Sequence, residues 1–240
     1  MGRLRVFGSS SSGNCYILEA GGELLMIEAG VPFREVLAGI GYDKGLGLLR
    51  GCIVTHRHGD HAKYIPQVLS MGKPVWSCKE VADSIRGVSP LRLDTKVRIG
   101  GFIVQPIPVS HSVECYSYLI EHPEIGRCLF ITDCSTFPYK LRNIHHIWCE
   151  ANWSEDCIID GLMDGSLKYS ISKEHLSLDV AERVIRNNFS LCTQDVVLLH
   201  LSDGRSNERM FKERIVDALS FSEVYVADKG FELELNKEEF

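Results

Sequence analysis

No stretch of the 240 residues is apolar for long enough to cross a bilayer, and the start, MGRLRVFGSS, has neither an apolar signal region nor a small-residue cleavage site. MGRLRV also lacks the Ser or Thr that a myristoylation signal places at its sixth position. The expectation is a cytoplasmic protein with no membrane role. There is no internal repeat, low-complexity linker or Pro-rich hinge, so residues 1–240 are expected to form one domain. No CxxC occurs, and the cysteine count of nine is odd, which does not support a disulfide framework and points to reduced, buried thiols. Lys and Arg form no run, and the net charge is -6. Proteins that track long nucleic acids carry a basic face, so nucleic acid is the less expected partner and a small substrate the more expected one.

Short apolar strands fill the first half: 3–7, 15–20, 24–30 and 51–55, rich in β-branched and aromatic residues and broken by Gly and Ser. The spacing of Phe33, Val36, Leu37 and Ile40 predicts a helix over 32–41. HAKYIPQVLS, 61–70, reads as another, at the cost of a proline within it. Further strands are expected at 101–110, 116–122, 127–133, 146–152, 195–202 and 223–228, with FELEL as a closing edge strand. Helices are expected to start near Ser177 and Ser206, each with an acidic residue in its first turn. This order predicts an α/β fold with two sheets face to face and helices outside. A single doubly wound sheet is the rival, but no GxGxxG or Walker motif marks a strand–helix junction to favour it.

The chemistry concentrates in THRHGDH, 55–61. Neutral imidazole is the commonest protein metal ligand. In an extended segment His56 and His58 share a face and can grip one ion. Asp60 and His61 follow the turn at Gly59, point elsewhere and could hold a second. The bland alternative is a solvated polar loop, but an apolar strand delivers this one to the edge of a core. Zinc suits such donors, with manganese or iron as alternatives. His111, Asp133 and His200 each end an apolar run, where active-site groups of layered α/β folds gather, and a carboxylate such as Asp133 could bridge two ions. Any one of them alone would more often be a satisfied buried polar group.

THRHGDH resembles the HxHxDH signature of the metallo-β-lactamase superfamily, and His111, Asp133 and His200 fall in the order of its later motifs. The likeness runs over nearly the whole chain. It implies a four-layer αββα sandwich and two metal ions. One would be held by His56, His58 and His111, the other by Asp60, His61 and His200, with Asp133 between them. Where the superfamily usually has a supporting Asp, this chain has Glu28, which puts the support of the ligands in question.

The segments GSSSSGNCYILEA, KEHLS and LLHLSDGRSN resemble the phosphodiesterase branch, which includes RNase Z, PhnP-type cyclic phosphodiesterases and YycJ-type (WalJ) proteins. SHSVECYSYLIEHPEIGRCLFITDC and EANWSED resemble phage and bacterial anti-Pycsar phosphodiesterases, which are homodimers that cleave cyclic mononucleotides such as cCMP and cUMP. The resemblance implies a homodimer acting on 3′,5′-cyclic nucleotides, in the host cytoplasm if phage-encoded. Asp60 would then help orient the attacking water, and His175 would act as general acid or phosphate clamp. Ser202 and Arg205 are weaker candidates for phosphate contact, as an ordinary loop and cap would look the same. Tyr116, Tyr139, Trp153 and Tyr169 are aromatics that could stack a base, though each is more often core or interface. A nuclease and a non-catalytic nucleotide binder remain the alternatives.

Overall fold

The computed structural model describes residues 2–158 and 165–237. In the first half, the strands are β1 (Gly2–Ser10), β2 (Gly13–Ala20), β3 (Glu23–Ile27), β4 (Leu49–Ile53), β5 (Val75–Ser77) and β6 (Val88–Pro90). The helices among them are α1 (Phe33–Ile40), α2 (Tyr42–Leu48), α3 (Gly59–Ala62), α4 (Ile65–Ser70) and α5 (Lys79–Ser84). The second half adds β7 (Val97–Ile99), β8 (Phe102–Val109), β9 (Cys115–His122), β10 (Gly126–Ile131), β11 (His146–Glu150), α6 (Gly165–Glu174) and α7 (Leu178–Asn188). It closes with β12 (Asp195–Leu199), α8 (Glu208–Leu219), β13 (Val224–Val226) and β14 (Glu232–Leu235).

These strands make two seven-stranded sheets, ordered β14-β1-β2-β3-β4-β5-β6 and β13-β12-β11-β10-β9-β8-β7. The chain therefore builds one sheet and then the other, and its last strand returns to the edge of the first. Alternation along each strand divides the second sheet's side chains between two cores. Cys128 and Phe130 of β10, and Val197 and Leu199 of β12, pack with the first sheet. Leu129, Ile131, Val196 and Leu198 pack with α7 and α8 instead. Strands covered on both faces read as unbroken apolar runs, as these do. Tyr16 and Phe130 meet across the sandwich edge-on, with ring centroids 5.3 Å apart. All nine cysteines are free, and seven of them are buried.

The sequence expectations hold for many elements, and three departures bear on how the chain is read. Residues 61–70 are not one helix. Tyr64 interrupts the run, and α4 starts at Ile65 with Pro66 in its first turn, where a missing N–H costs nothing. The last long helix is capped by Asn207, whose side chain accepts from the N–H of Met210. Ser206 instead bonds back to the Ser202 carbonyl at 2.7 Å. The segment YDKGLGL forms α2, although its two glycines speak against a helix. Among the described residues no helix is long and apolar enough to cross a membrane.

Strand directions decide where the chemistry collects. β8 and β10 both run antiparallel to β9, and β10, β11 and β12 are mutually parallel. Their C-terminal ends therefore share one rim. β3 and β4 are parallel in the facing sheet. THRHGDH leaves the end of β4 and is held by backbone bonds from Ala29 N–H to the His61 carbonyl (2.7 Å) and from Tyr64 N–H to the Ala29 carbonyl (2.8 Å). Gly30 allows this approach: a Cβ there would lie 1.6 Å from the Asp60 carbonyl oxygen. Gly30→Ala is expected to cost about 1–3 kcal/mol through the forced backbone shift. Urea denaturation would measure that cost, and an unaltered midpoint would mean that the loop relaxes freely.

Candidate metal centre

The rim brings together all seven ligand candidates named from the sequence. His56, His58, His111 and Asp133 form one group whose ligand atoms all lie within 4.8 Å of one another. Asp60, His61, Asp133 and His200 form a second group of the same kind. Asp133 belongs to both. Its Oδ2 is 3.7 Å from His56 Nε2 and 3.1 Å from His61 Nε2, and its Oδ1 is 3.3 Å from His200 Nδ1. The rings of His56, His58 and His111 stand edge-on, with centroids 4.7–4.9 Å apart.

The donor set fits metal ions by a direct test. His56 Nε2, His61 Nδ1 and His200 Nε2 are buried with no hydrogen-bond partner. Orphaned buried imidazole nitrogens are costly, and an ion would satisfy those that face the site. His56 Nε2 and His200 Nε2 do so, while their Nδ1 atoms lie 2.9 Å from Thr55 Oγ1 and 3.1 Å from Glu150 Oε1. His111 presents Nε2 to the site, 3.2 Å from His58 Nδ1, and its Nδ1 meets Glu174 Oε2 at 3.1 Å. Fixing one nitrogen is how proteins aim the other at a metal.

Glu28, the residue that the resemblance placed at a supporting position, is fully buried just after β3. Its carboxylate accepts from the Thr55 N–H at 3.2 and 3.3 Å and lies 3.5 Å from His61 Nδ1. The longer side chain thus reaches both the root of the His loop and one of its rings. Glu28 (φ 65°), Asp133 (φ 46°) and His200 (φ 52°) all adopt left-handed backbone. Such conformations in residues other than glycine cluster at functional sites.

Glu150 was missed in the sequence. It is fully buried at the end of β11 and lies 2.7 Å from His175 Nδ1 and 3.1 Å from His200 Nδ1. The signal was present, since HIWCE ends an apolar strand in a charge just as RCLFITD does. His175 is brought in at the rim with its side chain 24% exposed, its Nδ1 4.0 Å from Asp133 Oδ1. Asp133, Glu150, His175 and His200 form a third ligand-competent group.

Ser202 and Arg205 lie in the loop after β12, which is tied to the 152–154 segment by Ser202 N–H to the Asn152 carbonyl and Ser154 N–H to the Arg205 carbonyl, both at 3.0 Å. Among the described residues neither of their side chains makes a hydrogen bond or ion pair. Two of the aromatic candidates belong to the core: Tyr116 and Trp153 are buried, with Tyr116 donating to Glu114 and Trp153 to the His175 carbonyl. Tyr139 is exposed beside Phe137. The side chain of Tyr169 lies outside the described residues.

Burial sets the two groups apart electrostatically. His56 and His111 are held below the ordinary imidazole pKa by burial and by neighbouring histidines. For His61 and His200 burial acts in the same direction but is outweighed by carboxylates. Asp133, Glu28 and Asp60 raise His61, and Asp133, Asp60 and Glu150 push His200 up to about 10.

No family model matches the sequence, and no curated protein does. Solved structures do match. The metallo-β-lactamase fold protein YhfI from Bacillus subtilis is 18% identical, with a TM-score of 0.76 over 97% of this chain and 98% of that one. A diphosphatase from the PhnP family is also 18% identical, with a TM-score of 0.69 over 98% of each chain. The short form of human tRNase Z is 13% identical, with a TM-score of 0.71 over 97% of this chain and 99% of that one. What these likenesses share is the architecture, and this chain has the metallo-β-lactamase fold, an α/β sandwich of two mixed sheets flanked by helices.

The contrast in proton affinity between the groups has a measurable consequence. A proton on His61 or His200 must leave before its nitrogen can bind a metal, whereas His56 and His111 are already neutral. Metal held by the Asp60–His61–His200 group should therefore be lost at a higher pH than metal held by the His56–His58–His111 group. Metal analysis after equilibration across a pH series would show this, and parallel loss of both ions would contradict it. Replacing Glu28 by Gln should lower metal affinity by about 10–100-fold, as loss of a ligand's supporting group does; titration against a zinc chelator reads that change.

Proposed function

We propose that this chain is a dinuclear metal-dependent phosphodiesterase that hydrolyses 3′,5′-cyclic nucleotides. The observation that carries the reading is a single buried carboxylate, Asp133, common to two histidine-rich groups, with a partly exposed histidine beside it. A diphosphatase and a tRNase Z among the structural neighbours support phosphoryl chemistry. In this reading His56, His58 and His111 would hold one ion and Asp60, His61 and His200 the other, with Asp133 available to both. Two divalent ions, zinc by preference and manganese as the alternative, would supply Lewis-acid activation of water and of the phosphoryl oxygens.

The chain's own groups do the rest. Asp60 faces the second group, its Oδ2 3.3 Å from His61 Nε2 and 3.6 Å from His200 Nε2, and its pKa is held far below the ordinary carboxylate range. Burial opposes that shift, and hydrogen bonds from His200 and His61 outweigh it. Asp60 thus stays an anion and an acceptor that orients the attacking water. His175 Nδ1 is committed to Glu150, which leaves Nε2 as the proton-donating position. Burial alone would lower the His175 pKa, but the Glu150 charge and hydrogen bond raise it. His175 therefore carries the proton that a leaving ribose oxygen needs. Ser202 and Arg205 are assigned to the substrate phosphate.

The net charge of -6 favours a small substrate over a polymer. The same reading makes the protein a cytoplasmic homodimer, working in the host cytoplasm where phage-encoded, that destroys cCMP- or cUMP-type signals. A nuclease is the second reading, favoured by the likeness to tRNase Z. The deciding experiment incubates metal-loaded protein with the four 3′,5′-cyclic mononucleotides, bis(p-nitrophenyl) phosphate and labelled DNA and RNA. Turnover of cyclic mononucleotides that Asp60→Ala abolishes is expected. Degradation of polymers alone would establish the nuclease, and binding without turnover would establish a sequestering protein. His175→Asn should lower kcat by about 10²–10⁴-fold, the range for loss of a positioned general acid, with metal binding retained. An undiminished kcat in His175→Asn would remove His175 from the mechanism.

A further inference from the structure

The segment GSSSSGN spans the end of β1, the turn at 11–12 and the start of β2, far in sequence from His200. Its two buried polar residues reach the second ligand group. Ser9 Oγ accepts the backbone N–H of His200 at 2.9 Å and the Tyr16 hydroxyl at 2.9 Å. Asn14 Nδ2 donates to the Ser10 carbonyl at 3.0 Å, approaches the Asp60 carbonyl (3.4 Å) and Asp60 Oδ2 (3.5 Å), and lies 3.1 Å from His61 Nε2. Tyr16 links the two, since its hydroxyl is also 3.3 Å from Asn14 Oδ1.

None of the three residues is a metal ligand by type, yet together they touch every ligand unique to the second group. His200 needs outside support most, because its left-handed backbone is unfavourable for a residue with a side chain. Its peptide is pinned on both sides, the N–H by Ser9 and the carbonyl by Asn152 Nδ2 at 2.8 Å. Without the Ser9 hydroxyl that N–H would be buried and unpaired, and left-handed backbone would lose one of the contacts that holds it. The first group has no such contact with the serine turn: its rings are braced by Thr55 and Glu174.

We propose that Ser9 and Asn14 are positioning residues that set the affinity of the Asp60–His61–His200 group for its ion and leave the His56–His58–His111 group untouched. The proposal rests on the dinuclear reading of the site. It explains why a serine turn far from the ligands in sequence stands at the rim of the sandwich.

The test is a titration of metal-free protein with cobalt(II) and with zinc(II) in a metal buffer, following cobalt absorption and bound metal per chain. Ser9→Ala and Asn14→Ala are compared with the parent, and each protein's fold is checked by circular dichroism and thermal melting. The parent is expected to bind two ions. Each variant should bind the first with unchanged affinity and the second about 10–100-fold more weakly, the usual effect of losing a group that orients a ligand. Ser9→Thr, which keeps the hydroxyl, should restore the second ion. Two ions at parental affinity in both folded variants would overturn the proposal, as would equal weakening of both ions, which would mark general loosening. A Thr variant as deficient as Ala would assign the effect to packing and overturn the role of the hydrogen bond. A parent that binds fewer than two ions would instead refute the dinuclear reading itself.

Discussion

One buried carboxylate organises this protein. Asp133 is 2% exposed at the end of β10, and His56, His61, His175 and His200 all lie within 4.0 Å of it. Taking a carboxylate out of water costs several kcal/mol unless it is paired. Burial would raise its pKa, but His200, His61 and His56 hold it down, so it remains an anion among imidazoles. His56 and His61 reach it from the loop after β4 and His200 from the end of β12, and the parallel run of β10, β11 and β12 keeps Asp133 and His200 on one rim. Loss of the rim would separate the ligands, and loss of Asp133 would leave the two groups without a common member.

Around this carboxylate the histidines are divided by function at their two nitrogens. One nitrogen meets Thr55, Glu28, Glu174 or Glu150, and the other faces the site. Glu150 serves two rings at once, His175 and His200, and so couples the candidate proton donor to a candidate ligand. Left-handed backbone at Glu28, Asp133 and His200 shows that the strand ends do not continue smoothly into their loops. The chain turns there because the side chains are drawn to the centre and fastened by buried hydrogen bonds, which outweigh strain of about 1–3 kcal/mol per residue.

The architecture is common to proteins that share only 13–18% of their residues with this chain. Function therefore has to be argued from the rim and its loops. The departure at Glu28 is instructive. A carboxylate one methylene longer than the usual Asp still reaches the Thr55 N–H and the His61 ring, so the substitution alters the spacing of the support and preserves its role.

Much of this was legible without coordinates. The density of THRHGDH and the polar residues ending apolar runs at 111, 133 and 200 marked a metal centre, because ligands in a layered fold must sit where buried strands end. The helix from Leu178, with its Ser177 cap, was equally plain, since capping is a local interaction. Glu150, Asn14, Ser9 and Glu174 were not read as part of the site. A Glu at a strand end or a Ser in a turn has many ordinary uses, and only through-space contacts single one out. The break at Tyr64 and the helix at 42–48 were decided by packing, which overrides propensity over such short segments. The sequence by itself determined which groups could bind metal and that apolar strands would carry them. Only the tertiary structure decided that Asp133 stands between both groups, that Glu150 faces two histidines and that a serine nine residues from the start holds His200. Those pairings join residues up to 191 positions apart, and no local pattern records contacts that exist only after two sheets have closed on each other.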